Sequence, residues 1–204
     1  MRWLSHGWSG PGVGVVMAKV YVSSTIADLD AERRAVIDWL VAAQHQVVHS
    51  CPEHPATLAG RASLARWTGQ AGDRAAARQQ YAQLLPVDER VLGPEHSATL
   101  GARARLARWT GEAGDAAAAR DQYAALLPVR ERVSGPEHPD TLADRHELAR
   151  WTGEAGDAAA GRDQFATLLP IHERVLGPKH PDTLTTRASL AHWTMKAGGG
   201  AGAA

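Results

Sequence analysis

The sequence predicts a mainly α protein: a right-handed α-solenoid of helix-turn-helix repeats, preceded by a short β-α-β segment. Three observations carry that reading. A signature recurs as Cys51-Pro52-Glu53-His54, Gly93-Pro94-Glu95-His96, Gly135-Pro136-Glu137-His138 and Gly177-Pro178-Lys179-His180, each 42 residues after the last. A fixed period of that length marks stacked supersecondary units. Within each period the apolar residues recur at helical spacing, broken once by Gly-Asp. Upstream of residue 51 the chain differs in kind and carries a β-branched run.

In chain order, residues 1–17 read as a disordered leader. His6, Gly7, Ser9, Gly10 and Pro11 interrupt the apolar core that a signal peptide needs. Met17, directly before a strand, is the expected translation start. Residues 18–50 read as a truncated β-α-β unit. Ala18–Ser24 is a strand, Thr25 or Asp28 caps a helix with Leu29, Val36, Ile37 and Leu40 on one face, and His45–His49 is a second strand. Strand, helix and strand in that order imply a parallel pair with a right-handed crossover.

Repeats follow at 51–92, 93–134 and 135–176, then a half-repeat with a first helix only at 177–196 and a disordered Gly/Ala tail at 197–204. The third repeat shows the local logic. His138 stands at a cap position, Pro139 at the first helical position where no N–H is needed, and Asp140 near the positive end of the dipole. The helix runs through Leu148-Ala149-Arg150-Trp151 to Gly156, a C-terminal stop, and Asp157 caps the second helix. Ala160, Phe165, Leu168, Leu169 and Val175 give that helix one apolar stripe, which only stacked neighbours can bury. Pro86, Pro128 and Pro170 fall inside the second helices. An interior Pro removes a backbone bond, so a kink or short break is expected there.

Composition excludes several functions. Lys+Arg and Asp+Glu both count 22, so no electrostatic footprint for nucleic acid or an anionic membrane exists. No apolar run approaches the length of a membrane span. Cys51 is the only cysteine, which rules out an intramolecular disulfide and fits a reducing cytoplasm. The Arg, Ala and Gly bias suggests a bacterial source. No Gly-x-Ser-x-Gly, Walker-type loop or Gly-x-Gly-x-x-Gly is present, and no His, Asp, Glu or Cys cluster has ligand spacing. His54, His96, His138 and His180 recur one per repeat, too far apart to share an ion, and read as caps. No enzyme, metal or cofactor is expected.

The offsets Leu64-Ala65…Gly72…Ala77…Tyr81…Leu84 recur as Leu106-Ala107…Gly114…Ala119…Tyr123…Leu126 and Leu148-Ala149…Gly156…Gly161…Phe165…Leu168. This pattern resembles the tetratricopeptide repeat, and its length and Gly-Pro-Glu-His-Pro-Asp-Thr-Leu linker resemble the kinesin-light-chain-like bacterial subclass. The resemblance covers residues 51–195. It implies a protein-interaction scaffold that binds a partner protein or peptide on a concave face lined by first helices. Where the subclass has an Asn-Asn pair, this chain has Ala62-Ser63, Ala104-Arg105, His146-Glu147 and Ala188-Ser189.

On that mapping the groove residues are Arg66, Gln70, Arg105, Arg108, Glu112, Glu147, Arg150, Glu154 and His192. Intrahelical pairing of Arg108 with Glu112 and of Arg150 with Glu154 is the simpler account of four of them. Arg61, Arg103, Arg145 and Arg187 are expected to lie across a neighbouring helix. Trp67, Trp109, Trp151 and Trp193 form a ladder expected to fill the core. Val22-Ser23-Ser24-Thr25…Asp28-Leu29…Glu32-Arg33 resembles the opening of a bacterial domain family related to TIR and nucleoside-deoxyribosyltransferase folds. That resemblance implies a nucleotide-type ligand at Ser23, Ser24 and Thr25, or self-association through the open strand edges of the β-α-β unit.

Overall fold

A computed structural model describes residues 53–200. Seven helices follow one another: α1 (Pro55–Gln70), α2 (Arg74–Val91), α3 (Ser97–Glu112), α4 (Ala116–Ser134), α5 (Pro139–Glu154), α6 (Ala158–Val175) and α7 (Pro181–Gly200). The described residues contain no strand. The leader at 1–17 and the β-α-β unit at 18–50 lie outside the described residues. Position 197, where a disordered tail is expected, falls inside α7, which runs on to Gly200.

The turns are built from the signature residues. His54, His96, His138 and His180 each turn the ring Nδ1 onto the backbone N–H two residues on, at 3.1–3.2 Å. Those four rings serve the orphan donors of α1, α3, α5 and α7. Each hairpin within a unit turns on two residues. After α1, Gly72 takes φ +106°, its N–H bonds Gly69 O, and Asp73 N–H reaches back to Thr68 O. This is a Schellman closure, and Asp73 then caps α2 by accepting from Ala76 N at 2.9 Å. Asp115 and Asp157 repeat the arrangement.

Each helix packs on the next, and each first helix also touches the first helix of the following unit. The chain is thus a stack of antiparallel helical hairpins, a solenoid in which no unit has a private core. Tyr81, Tyr123 and Phe165 sit fully buried at one position of successive second helices. Tyr81 and Tyr123 donate their hydroxyls to Ala62 O and Ala104 O, at 2.7 and 2.8 Å. Phe165 has no hydroxyl, and the His146 ring meets it edge-on at 4.9 Å.

The tryptophans form the seam between units. Trp109, Trp151 and Trp193 are buried, each lying over a glycine of the preceding first helix. A Cβ on Gly69, Gly111 or Gly153 would stand 2.5–2.6 Å from the ring of Trp109, Trp151 or Trp193. Trp67 is the exception and remains 43 % exposed.

The interior prolines do not break their helices, contrary to one of the sequence expectations: α2, α4 and α6 run unbroken through Pro86, Pro128 and Pro170. The reason is their placement. Each Pro lies on the exposed face, and so do Ala82, Ala124 and Ala166 four residues earlier, whose carbonyls lose the helical donor. Water can serve those carbonyls at modest cost.

Candidate functional site

First helices α3 and α5 line an open cavity of about 490 Å³. Gly101, Ala104, Arg105 and Arg108 of α3 form one wall, and Asp140, Asp144, His146 and Glu147 of α5 the other. Asp182 and Thr185 of α7 close one end, while buried Tyr123, Arg130 and His172 reach it from the second helices.

Arg130 and His172 occupy the same position one repeat apart, with Asp88 one repeat earlier. Residue 14 positions on, in the next first helix, is Asp144, Thr186 or Ala102 respectively. Arg130 Nε donates to Asp144 Oδ2 at 2.8 Å, with both side chains buried, and Asp140 Oδ2 lies 3.7 Å from the guanidinium. Loss of water outweighs the pull of Arg130 and pushes the Asp144 carboxyl up to about 6. His172 Nδ1 meets Thr186 Oγ1 at 2.9 Å, and burial lowers its pKa. Burial likewise raises Asp88 and lowers His146. His172 Nε2 and Asp88 Oδ1 have no hydrogen-bond partner among the described residues.

The charges along the first helices pair across units. Arg150 Nη2 donates to Glu112 Oε1 of the preceding unit at 2.8 Å and Nη1 to Glu147 Oε2 at 3.3 Å. Lys196 approaches Glu154 at 3.8 Å. The intrahelical pairs Arg108–Glu112 and Arg150–Glu154 therefore do not form: the carboxylates are taken by cations of the following unit. Arg103, Arg145 and Arg187 do lie across a neighbouring helix, on Glu89, Glu131 and Glu173 at 2.6–2.7 Å.

Of the groove residues expected from sequence, Arg105, Arg108 and Glu147 line the cavity. Arg66 and Arg108 lie over Trp67 and Trp109, 5.2 and 5.6 Å from the ring centroids. Among the described residues Arg66, Arg105 and Arg108 make no ion pair. Gln70, Glu112, Arg150 and Glu154 lie elsewhere along the first helices, and His192 packs edge-on against Trp193 at 5.0 Å. Ser23, Ser24 and Thr25 lie outside the described residues. The buried polar set Asp88, Arg130, Asp144 and His172 escaped the sequence reading. Its signal was present: one second-helix position reads Asp, Arg and His in successive units while its neighbours hardly change.

Among the described residues no group of three or more His, Cys, Asp or Glu is placed to hold a metal ion, and no helix is long and apolar enough to cross a membrane. No curated protein matches the chain. Solved structures do. The kinesin-light-chain-type TPR-like repeats of Podosopora anserina superpose with a TM-score of 0.72 at 23 % identity, covering 83 % of this chain and 81 % of that one. The Q17M designation belongs to that structure, and a second structure of the same repeats gives 0.71 at 23 % identity. BtubC (BKLC) from P. vanneervenii gives 0.71 at 16 % identity, covering 83 % and 68 %. At these identities the likeness speaks for the fold. The sequence profile of the tetratricopeptide repeat matches residues 57–98, 99–140 and 141–182, which together exceed half the chain and keep the 42-residue step. With that match on the same hairpins that the Trp–Gly seam stacks, the chain belongs to the tetratricopeptide repeat family.

Proposed function

We propose that the chain is a non-enzymatic scaffold that binds a partner protein or peptide on the concave face of its first helices, in the cytoplasm. The observation that carries this reading is an imbalance of pairing in the groove. Arg130, Asp144, Glu147, Arg150 and Glu112 are committed to one another or to neighbouring units. Arg105 and Arg108 are exposed at the rim with no ion pair among the described residues, and Arg66 continues the same stripe. Unpaired guanidiniums beside an open cavity suit carboxylates arriving on a partner, since a fork of donors matches a carboxylate in geometry and charge.

The test is capture of a partner from lysate by the full chain, compared with the triple variant Arg66→Glu, Arg105→Glu, Arg108→Glu. The variant should retain its helical circular dichroism, because none of the three holds an ion pair among the described residues. It should lose at least about tenfold in affinity, and the wild-type complex should weaken with salt. Undiminished capture by the folded variant would discard the groove. The nucleotide-ligand reading of Ser23, Ser24 and Thr25 gains no support from the described residues.

A further inference from the structure

The exposed charges of the cavity are sorted by unit. Its α3 wall carries Arg105 and Arg108, both without an ion pair among the described residues. Its other side carries Asp140 and Asp144 of α5 and Asp182 of α7. Those three carboxylates share one guanidinium, that of Arg130, which bonds Asp144 at 2.8 Å and stands 3.7 Å from Asp140. Asp182 pairs with no Lys or Arg among the described residues, and its side chain is 69 % exposed. His138 and His180 lie 3.9 and 3.7 Å from Asp140 and Asp182. Each ring Nδ1 accepts a backbone N–H, so neither imidazole is the cation that these carboxylates lack.

Asp140 and Asp182 stand at the second position of their helices, where an acid also suits the dipole. The helix start does not require them. The N-termini of α1 and α3 have the same His cap and carry Ala56 and Ala98 at that position. A second feature of the acidic half points to a ligand. His172 lines the same cavity and is 2 % exposed, yet its Nε2 has no hydrogen-bond partner among the described residues, while Nδ1 is taken by Thr186. Burial keeps this ring neutral, so it offers a hydrogen bond without repelling a cation.

We propose, on the concave-face reading above, that the cavity takes an extended partner segment of two opposite charges: an acidic side chain on Arg105 and Arg108, and a basic one between Asp140 and Asp182. The spacing follows from the repeat. Neighbouring first helices lie about 10 Å apart. Ala98 is the α3 counterpart of Asp140 and precedes Arg105 by two helical turns, about 10 Å along the axis. The two charges of the ligand therefore stand about 14 Å apart on the diagonal, which an extended chain spans in about four residues. A purely acidic segment would satisfy the guanidiniums and leave the carboxylate pair uncompensated beside it.

The experiment is fluorescence anisotropy at low salt, with the full chain and end-blocked peptides of equal length. Two carry a Glu pair and an Arg pair, in either order, about four Gly/Ser residues apart; a third replaces Arg by Gln, and a fourth replaces Glu by Gln. One bipolar order should bind at least about tenfold tighter than the Glu-only peptide. Asp140→Asn with Asp182→Asn should cancel that gain yet tighten the Glu-only peptide slightly, because a repelling charge is gone, whereas an unfolded variant would lose both. Arg105→Glu with Arg108→Glu should lose both peptides. Equal affinity for bipolar and Glu-only peptides would overturn the bipolar site and leave the carboxylate groove standing. A gain that survives the paired Asp variant, or an Arg-only peptide that matches the bipolar one, would overturn it as well. Failure of every Glu-bearing peptide to bind would bring down the groove reading with it.

Discussion

At the junction of the second and third units, two contacts of opposite character hold α5 to the unit before it. Trp151 of α5 lies over Gly111 of α3, as its counterparts do at every described junction. At the same junction, Arg130 of α4 reaches Asp144 of α5, a pair that neither adjoining junction repeats. The apolar contact is shape alone, and any unit that keeps Trp and Gly can stack on any other. The polar contact is specific: Arg130 set against the Ala102 position, where Ala98 replaces Asp140, would be a buried cation with no anion. The difference teaches that the seam sets the period, while the polar joints set which unit follows which. A repeat array depends on such neighbour terms, because each unit contacts only its neighbours.

The largest effect comes from unbalancing the polar joint. Asp144→Ala leaves the buried Arg130 guanidinium only the exposed Asp140 carboxylate, 3.7 Å away, and should cost about 3 kcal/mol in denaturant unfolding. It should also split a single transition, with α1 to α4 parting from α5 to α7. Adding Arg130→Met removes the stranded charge, and most of the loss should return. A double variant as unstable as the single would mean that the pair contributes more than mutual neutralisation.

Breaking the seam at the same junction should cost less. Gly111→Ala places a methyl 2.5 Å from the Trp151 ring, which must shift. Overpacking of this kind costs about 1–3 kcal/mol. Gly114→Ala, three residues on, meets no neighbour but sits at φ +107° and tests strain in place of packing. Recovery of Gly111→Ala by Trp151→Leu, but not of Gly114→Ala, would separate the two mechanisms.

What the sequence revealed follows from how local each cause is. The His caps and the Gly72-Asp73 turn with its repeats rest on residues within one turn, so the period alone exposes them; the Trp ladder needs a preceding unit, and Trp67 stays 43 % exposed. Arg108–Glu112 failed because the reading stopped at one helix. The next unit brings Arg150 onto Glu112, and an Arg-before-Glu order is the weaker intrahelical arrangement in any case. Pro86 was judged by its missing N–H, but the carbonyl it deprives is Ala82 on the wet face. Asp88, Arg130 and His172 drew no sequence reading, because only the packed structure shows that their position points inward. Which first-helix charges are already partnered was not legible, because those partners come from the next unit.

The smallest effect is a pH dependence that distinguishes the polar joints from one another. His172 is neutral in the folded chain because burial lowers its pKa, while the unfolded ring titrates near the ordinary 6.5. The stability that its Thr186 contact contributes is thus present above that value and is lost as pH falls. Asp144 runs the other way. Its folded pKa of about 6 exceeds the ordinary 3.8, so the folded chain binds the proton first and gains relative to the unfolded chain as pH falls through that window. The two must be separated by difference. His172→Gln leaves Asp144 in place, so subtracting its stability from the wild type's cancels the carboxyl. Between about pH 7.5 and about pH 5 that difference should shrink, with the wild type losing its advantage. A difference that is flat with pH would show that the His172 ring holds its joint by packing alone, as Trp151 holds the seam.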